Sequence, residues 1–224
     1  MPELPSILIA GLTGFFSGLL LSIPVGPVNL TIINEGARRG FNFAYFVGLG
    51  ASLMEVIYCS IAFTGFAGFF SQGLPKAAMQ VFSFAFLLFL GTKFLCVKSV
   101  ALKAGMEGRL ERKFQPTSAF MTGFIRVMGN PGILLLWIVF SARFVTRGLV
   151  PATPPGKAAC ILGVGLGTNL WFSGVSYAVS KGHKKFSETT LVRMERYSGL
   201  GLILLGLANG CQIVWQLSHA LHPK

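Results

Sequence analysis

LPSILIAGLTGFFSGLLLSIPVGPVNLTIIN, from Leu4 to Asn34, is a run of 31 residues without a charge, bounded by Glu3 and Glu35. As one helix it would extend about 46 Å at a rise of 1.5 Å per residue, against a hydrocarbon core of about 30 Å. It reads as a membrane-crossing helix that breaks before its end, and Pro24-Val25-Gly26-Pro27 marks the place. Each proline lacks an N–H and leaves the carbonyl four residues back, at Leu20 and Ile23, without its helical donor. At membrane depth such a break is tolerated where the freed groups are buried in protein or line a watery cavity, and there they can hold a substrate or an ion.

The rest of the chain continues in kind. Of its 224 residues 53% are hydrophobic and 12% charged, against roughly 45–50% apolar and 25% charged in soluble domains. Six spans are predicted, over Ser6–Leu30, Phe43–Phe66, Ala77–Val97, Ser118–Val145, Ala158–Val179 and Tyr197–Leu217. They leave only short connectors, so residues 1–224 form a single transmembrane domain with no room for a separate catalytic one. Neither an enzyme nor a cofactor is expected. The opening MPELPS lacks the basic region of a secretory signal, which predicts that the first apolar run is kept as a helix.

A formal charge of +12 could suggest a nucleic-acid partner, but the Lys and Arg residues sit between apolar runs, where they read as topology signals. No nucleic acid is expected; the lipid bilayer is. The first, third and fifth loops hold 12 basic residues: Arg38 and Arg39; Lys98, Lys103, Arg109, Arg112 and Lys113; Lys181, Lys184, Lys185, Arg193 and Arg196. The opposite side holds Lys76, Arg147, Lys157 and Lys224, with Arg143 at the end of the fourth span. By the positive-inside rule both termini face away from the cytoplasm.

The two halves, residues 6–97 and 118–217, echo each other. Val47-Gly48-Leu49-Gly50 with Leu53 recurs as Val164-Gly165-Leu166-Gly167 with Leu170, an offset of 117, and LLFLG ending at Gly91 recurs as LILLG ending at Gly206, an offset of 115. Ser17-Gly18 before Gly26-Pro27 matches Thr122-Gly123 before Asn130-Pro131, where a second proline would free the carbonyl of Val127. A repeat of three helices is odd-numbered, so the second copy enters from the opposite side, and the predicted fold is an all-α bundle of two inverted three-helix repeats.

Glu55 stands near the middle of the second span, where an acid costs about 2.5–3.5 kcal/mol on the lenient insertion scale and should face protein or water. Gly48, Ser52 and Glu55 share one helix face, as do their counterparts Gly165, Asn169 and Phe172. Glu55 reads as a proton-coupling or ammonium-binding carboxylate, or as half of a packing ion pair with Arg126 or Lys93. Arg126, just before Asn130-Pro131, suits a substrate carboxylate, or neutralises Glu55, or snorkels. Asn34, Asn169 and Asn209 could line a path or act as helix glue. Gly14 with Gly18 and Gly163 with Gly167 form two GxxxG pairs for close helix contact, and a homodimer face is a further use open to them. Gly36-Ala37-Arg38-Arg39-Gly40 is expected to be a tight basic turn. Cys59, Cys96, Cys160 and Cys211, without CxxC spacing, are expected to be buried structural thiols, and neither they nor His183 suggest a metal site.

PVGPVNL at Pro24–Leu30, GARRG at Gly36–Gly40 and VGLGASLMEVIY at Val47–Tyr58 together resemble the amino-terminal signature of the LysE/RhtB amino-acid exporters. The resemblance covers residues 11–66 well and the second half through Asn130-Pro131 and the six-span layout. It implies a bacterial inner-membrane protein that expels amino acids or related metabolites using the proton gradient. The family's acid in the second helix is commonly Asp, where this chain has Glu55. The expected site joins Pro24, Gly26, Pro27, Ser52, Glu55, Arg126, Asn130, Pro131 and Asn169 near the midplane. A divalent-metal cargo is an alternative that a chain without Asp serves poorly; a membrane thiol-redox protein would need two cysteines brought together across helices.

Overall fold

A computed structural model describes residues 3–66, 73–98, 110, 113–114, 118–182 and 187–221. Its elements are α1 (Glu3–Ser22), α2 (Pro27–Arg39), α3 (Phe41–Ile61, continued by a π-helical turn Ala62–Phe66), α4 (Gly73–Leu95), α5 (Ala119–Met128), α6 (Pro131–Thr146), α7 (Pro154–Ser180) and α8 (Glu188–Leu221). With no water in hydrocarbon to satisfy backbone groups, an apolar segment closes its own hydrogen bonds as helix. Five helices, α1, α3, α4, α7 and α8, are long and apolar enough to cross a membrane, and α5 with α6, bent by 67° at Gly129-Asn130, make a sixth span if counted together. Their outer faces carry leucines at helical spacing, as in Leu4, Leu8 and Leu12 of α1 or Leu162, Leu166 and Leu170 of α7, which lipid solvates as well as protein would.

Helix α3 runs through the middle. Val47, Ala51, Met54, Tyr58 and Cys59 share one core with Trp137 and Phe140 of α6 and with Cys160, Val164 and Phe172 of α7. Glycines let three helix pairs approach backbone to backbone. Gly14 and Gly18 of α1 lie on the backbone of Cys160 and Val164, while Gly163 and Gly167 of α7 lie on that of Gly11 and Phe15. In the same way Gly50 of α3 meets the Phe120 carbonyl, Gly123 of α5 meets the Val47 carbonyl, and Gly91 of α4 faces Gly199 and Ile203 of α8. The two GxxxG pairs are therefore each other's partners within one chain, and a homodimer would need some other face.

Several expectations need correction. The first span does not end at Leu30: after its break the helix continues as α2 to Arg39, so the basic tract is a helix end, supported by Glu35 pairing with Arg39 at 2.9 Å and with Arg38 at 3.8 Å. Only Gly40, at φ 82°, makes the turn, a conformation that suits a residue without Cβ. The last helix starts nine residues before Tyr197, so Arg193 and Arg196 sit on α8 rather than in a loop; a helix of 34 residues spans about 51 Å and overshoots the hydrocarbon. Cys59 and Cys160 are buried as expected, whereas Cys96 and Cys211 are exposed, because they fall on the outward faces of α4's end and α8. Lys103, Arg109, Arg112, His183, Lys184, Lys185 and Lys224 lie outside the described residues.

Candidate functional site

The first break is held by side chains from three helices. With Pro24 and Pro27 unable to donate, the Leu20 carbonyl accepts from Ile23 N–H at 3.3 Å, and Gly26 N–H turns back onto the Pro24 carbonyl at 2.8 Å. Asn29 of α2 donates its amide to the carbonyls of Ser22 at 2.8 Å and Pro24 at 2.7 Å. Trp171 of α7 donates its indole N–H to the Asn29 oxygen at 3.1 Å. Val25 N–H, which has no helical acceptor in the break, donates to the carboxylate of Glu195 on α8. The second break follows the same logic. The Val127 carbonyl takes Asn130 N–H at 2.9 Å in place of the missing Pro131 donor. Asn130 caps α6 by accepting from Gly132 N–H at 3.1 Å, and the Tyr58 hydroxyl of α3 donates to the Met128 carbonyl at 2.7 Å. The carbonyls of Leu20 and Val127, expected to be free for a ligand, are thus already occupied.

Between the two breaks lies a cavity of about 480 Å³, within the ~300–1,000 Å³ of small-ligand sites. Pro24, Gly26 and Pro27 form one wall and Asn130 another, and Glu55 and Arg126 both face it. Lys93 of α4 and Glu195 of α8 add a second base and a second acid, and Leu21, Phe94, Ile133, Leu136, Phe172 and Leu202 give the remainder an apolar lining. Glu55 is 9% exposed, and its carboxylate accepts the indole N–H of Trp137. A buried indole needs an acceptor, so this bond ties α3 to α6 at the level of the second break. Three expected residues do not line the cavity. Ser52 is buried inside α3 one turn from Glu55, Pro131 faces outward at the start of α6, and the Asn169 oxygen accepts from Ser173 within α7. Asn34 is exposed, and Asn209 donates to the Gln80 carbonyl across α8 and α4, the helix-glue role.

Broken helices around a cavity are a feature of many transporters, and residues 19–211 match the LysE type translocator family. The chain belongs to that family. The translocator is 27% identical over 201 residues, 89% of this chain and 94% of the other, to the protein from Bacillus subtilis (strain 168) named "Putative amino acid efflux protein YcgF". No solved structure gives a significant match. Membership makes this a multi-pass membrane protein.

In this translocator the residues missed from sequence are Asn29, Trp137 and Glu195, while Lys93, read from sequence only as a packing partner of Glu55, lines the cavity beside it. Asn29 lies inside the PVGPVNL motif, and its reach back to Ser22 and Pro24 is visible only once the chain bends. Glu195 was obscured by starting the last helix at Tyr197. Extending that helix backward puts Leu191, Glu195, Gly199 and Leu202 on one buried face, which would have marked it. The Val25 contact separates two roles for this acid. Glu195→Ala leaves a buried N–H unsatisfied at a cost of about 1–3 kcal/mol, so thermal unfolding of the purified protein should shift down clearly. Glu195→Gln keeps an acceptor in place and should unfold near wild type; equal losses in both would show that the charge, not the acceptor, holds the break.

Proposed function

We propose that this translocator carries amino acids or related small metabolites out of the bacterial cytoplasm across the inner membrane, driven by protons, with Glu55 and Arg126 receiving the two ends of a zwitterion. The observation that carries the reading is the cavity in which Glu55 and Arg126 face one space between the two helix breaks. An ammonium group needs an acid or carbonyls and a carboxylate needs a guanidinium, and an apolar remainder fits a passenger whose middle is hydrocarbon. The name of the Bacillus subtilis relative points the same way. Proton exchange at Glu55 would bias release outward as the cavity alternates its access.

Two inverted three-helix repeats, with both termini away from the cytoplasm, complete the reading. What supports the repeat is that its offsets map one helix seam onto another. Residues 15, 19 and 167 at the α1–α7 seam, moved by the offsets of 105 and 117 read from sequence, become Phe120, Phe124 and Gly50, which touch at the α3–α5 seam. Gly18 on Val164 likewise becomes Gly123 on Val47. At α4–α8, Gly91 on Ile203 becomes Gly206 on Leu88. Contacts kept in register under the same offsets are what a three-helix repeat would give.

The test is accumulation of labelled amino acids by inverted vesicles from cells expressing the protein. Uptake of at least one neutral amino acid, dependent on an imposed proton gradient and abolished by a protonophore, is the expected result. A panel of twenty amino acids with no gradient-dependent uptake above empty-vector vesicles would overturn the reading.

A further inference from the structure

A second recess opens at the other end of the bundle from Arg38, Arg39 and Lys181. It lies between α4, α6 and α8 and is lined by Lys76 and Gln80, by Arg143 and Arg147, and by Asn209 and Gln212. The end of the bundle that should be poor in cations under the positive-inside rule thus gathers three of them around one opening. Topology gives no reason for that convergence, and among the described residues neither does pairing. The chain has seven acids and no Asp, and none of the residues lining the recess is acidic.

The guanidiniums are also held in place by neutral acceptors. Arg143, half-buried, donates one N–H to the Leu205 carbonyl at 3.4 Å, and Arg147 donates to the side-chain oxygen of Gln212. Each Arg carries five N–H donors in a rigid fork suited to phosphate oxygens, so one anchoring bond orients the fork without exhausting it. Two like charges brought side by side in partly buried surroundings repel, and an anion would relieve that repulsion. Lys76 stands three residues into α4 and Arg147 directly follows α6, so the opening lies near the ends of two candidate spans, where headgroups would meet them.

We propose that this recess binds a phosphate or phosphodiester anion, supplied by a lipid headgroup or by free phosphate. The experiment uses the full chain purified in neutral detergent. Native mass spectrometry follows titration with phosphatidylglycerol or phosphatidylcholine, and thermal unfolding is measured with added inorganic phosphate. Wild type is expected to prefer phosphatidylglycerol. The Arg143→Gln, Arg147→Gln double variant should bind it roughly thirtyfold more weakly, at about 1 kcal/mol per basic residue. Lys157→Gln, a basic residue of the same end outside the recess, should bind as wild type does. The single Arg147→Gln variant, changed at an exposed position, should lose roughly fivefold and stands in if the double variant does not fold. Stabilisation by inorganic phosphate that the variants lose assigns a free anion; preference for phosphatidylglycerol alone assigns a lipid headgroup. Wild type that neither distinguishes the two lipids nor gains stability from phosphate overturns the proposal, as does an Arg147→Gln variant that binds like wild type. Neither readout depends on transport, so the result stands apart from the efflux reading.

Discussion

Glu55→Gln is expected to lower gradient-driven efflux by about two orders of magnitude at matched membrane abundance while the protein remains folded. The glutamine oxygen can still accept the Trp137 indole N–H, so the link between α3 and α6 survives and only the charge and its exchangeable proton are removed. A hydrogen bond to a charged partner is worth about 1.5–3 kcal/mol, and the upper half of that range corresponds to roughly 40- to 140-fold. Efflux from preloaded cells is the measurement, with size-exclusion behaviour in detergent as the folding control. A variant that exports at the wild-type rate would reduce Glu55 to a packing partner of Trp137. Trp137→Phe sharpens the result, since it removes the indole donor and leaves the acid. If it exports far better than Glu55→Gln, the carboxylate itself is what transport requires.

The second large effect concerns stability. Gly123→Ala and Gly163→Ala are each expected to prevent recovery of monodisperse protein, because the added methyl group would overlap the carbonyl oxygens of Val47 and Gly11, and a backbone facing a backbone has nowhere to move. Overpacking typically costs about 1–3 kcal/mol where side chains can yield, and these positions lack that relief. Gly174→Ala is the comparison. It lies on the exposed face of α7, where a Cβ meets nothing, and helix propensity favours alanine there by nearly 1 kcal/mol. Fluorescence-detected size exclusion should show a sharp peak for Gly174→Ala and aggregate for the other two. A sharp peak for Gly123→Ala would mean that α3 and α5 are not in backbone contact.

How much of this was legible beforehand follows from which residues carry local signals. Apolar runs and prolines act through covalent geometry and hydration, which belong to the residue itself, so the five long apolar helices, the bent α5–α6 pair and both breaks could be read directly. Pro24, Gly26, Pro27 and Asn130 reach the cavity for that reason, and Glu55 and Arg126 because a charge at membrane depth has to face protein or water, while Pro131 of the second break faces outward. Ser52 and Asn169 rest on helix face alone, and a face says which side is polar without saying what packs on it. Trp137 and Glu195 act through partners 82 and 170 residues away, so their roles depend on tertiary pairing that no local pattern encodes. The expectation of free carbonyls failed at Leu20 and Val127 for a related reason: Ile23 N–H and Asn130 N–H, at the residues bent out of the helix just before each proline, turn back to meet them.

The glycine seam between α1 and α7 also sets the order of events during synthesis. Gly14 rests on Cys160, 146 residues later in the chain, so at about 5–20 residues per second α1 leaves the ribosome roughly 7–30 s before its partner exists. Through that interval its small-residue face has only lipid or the insertion machinery against it. Helix α1 is made well before its partner and seated only after it, and whatever shelters that face in the meantime takes part in building the protein.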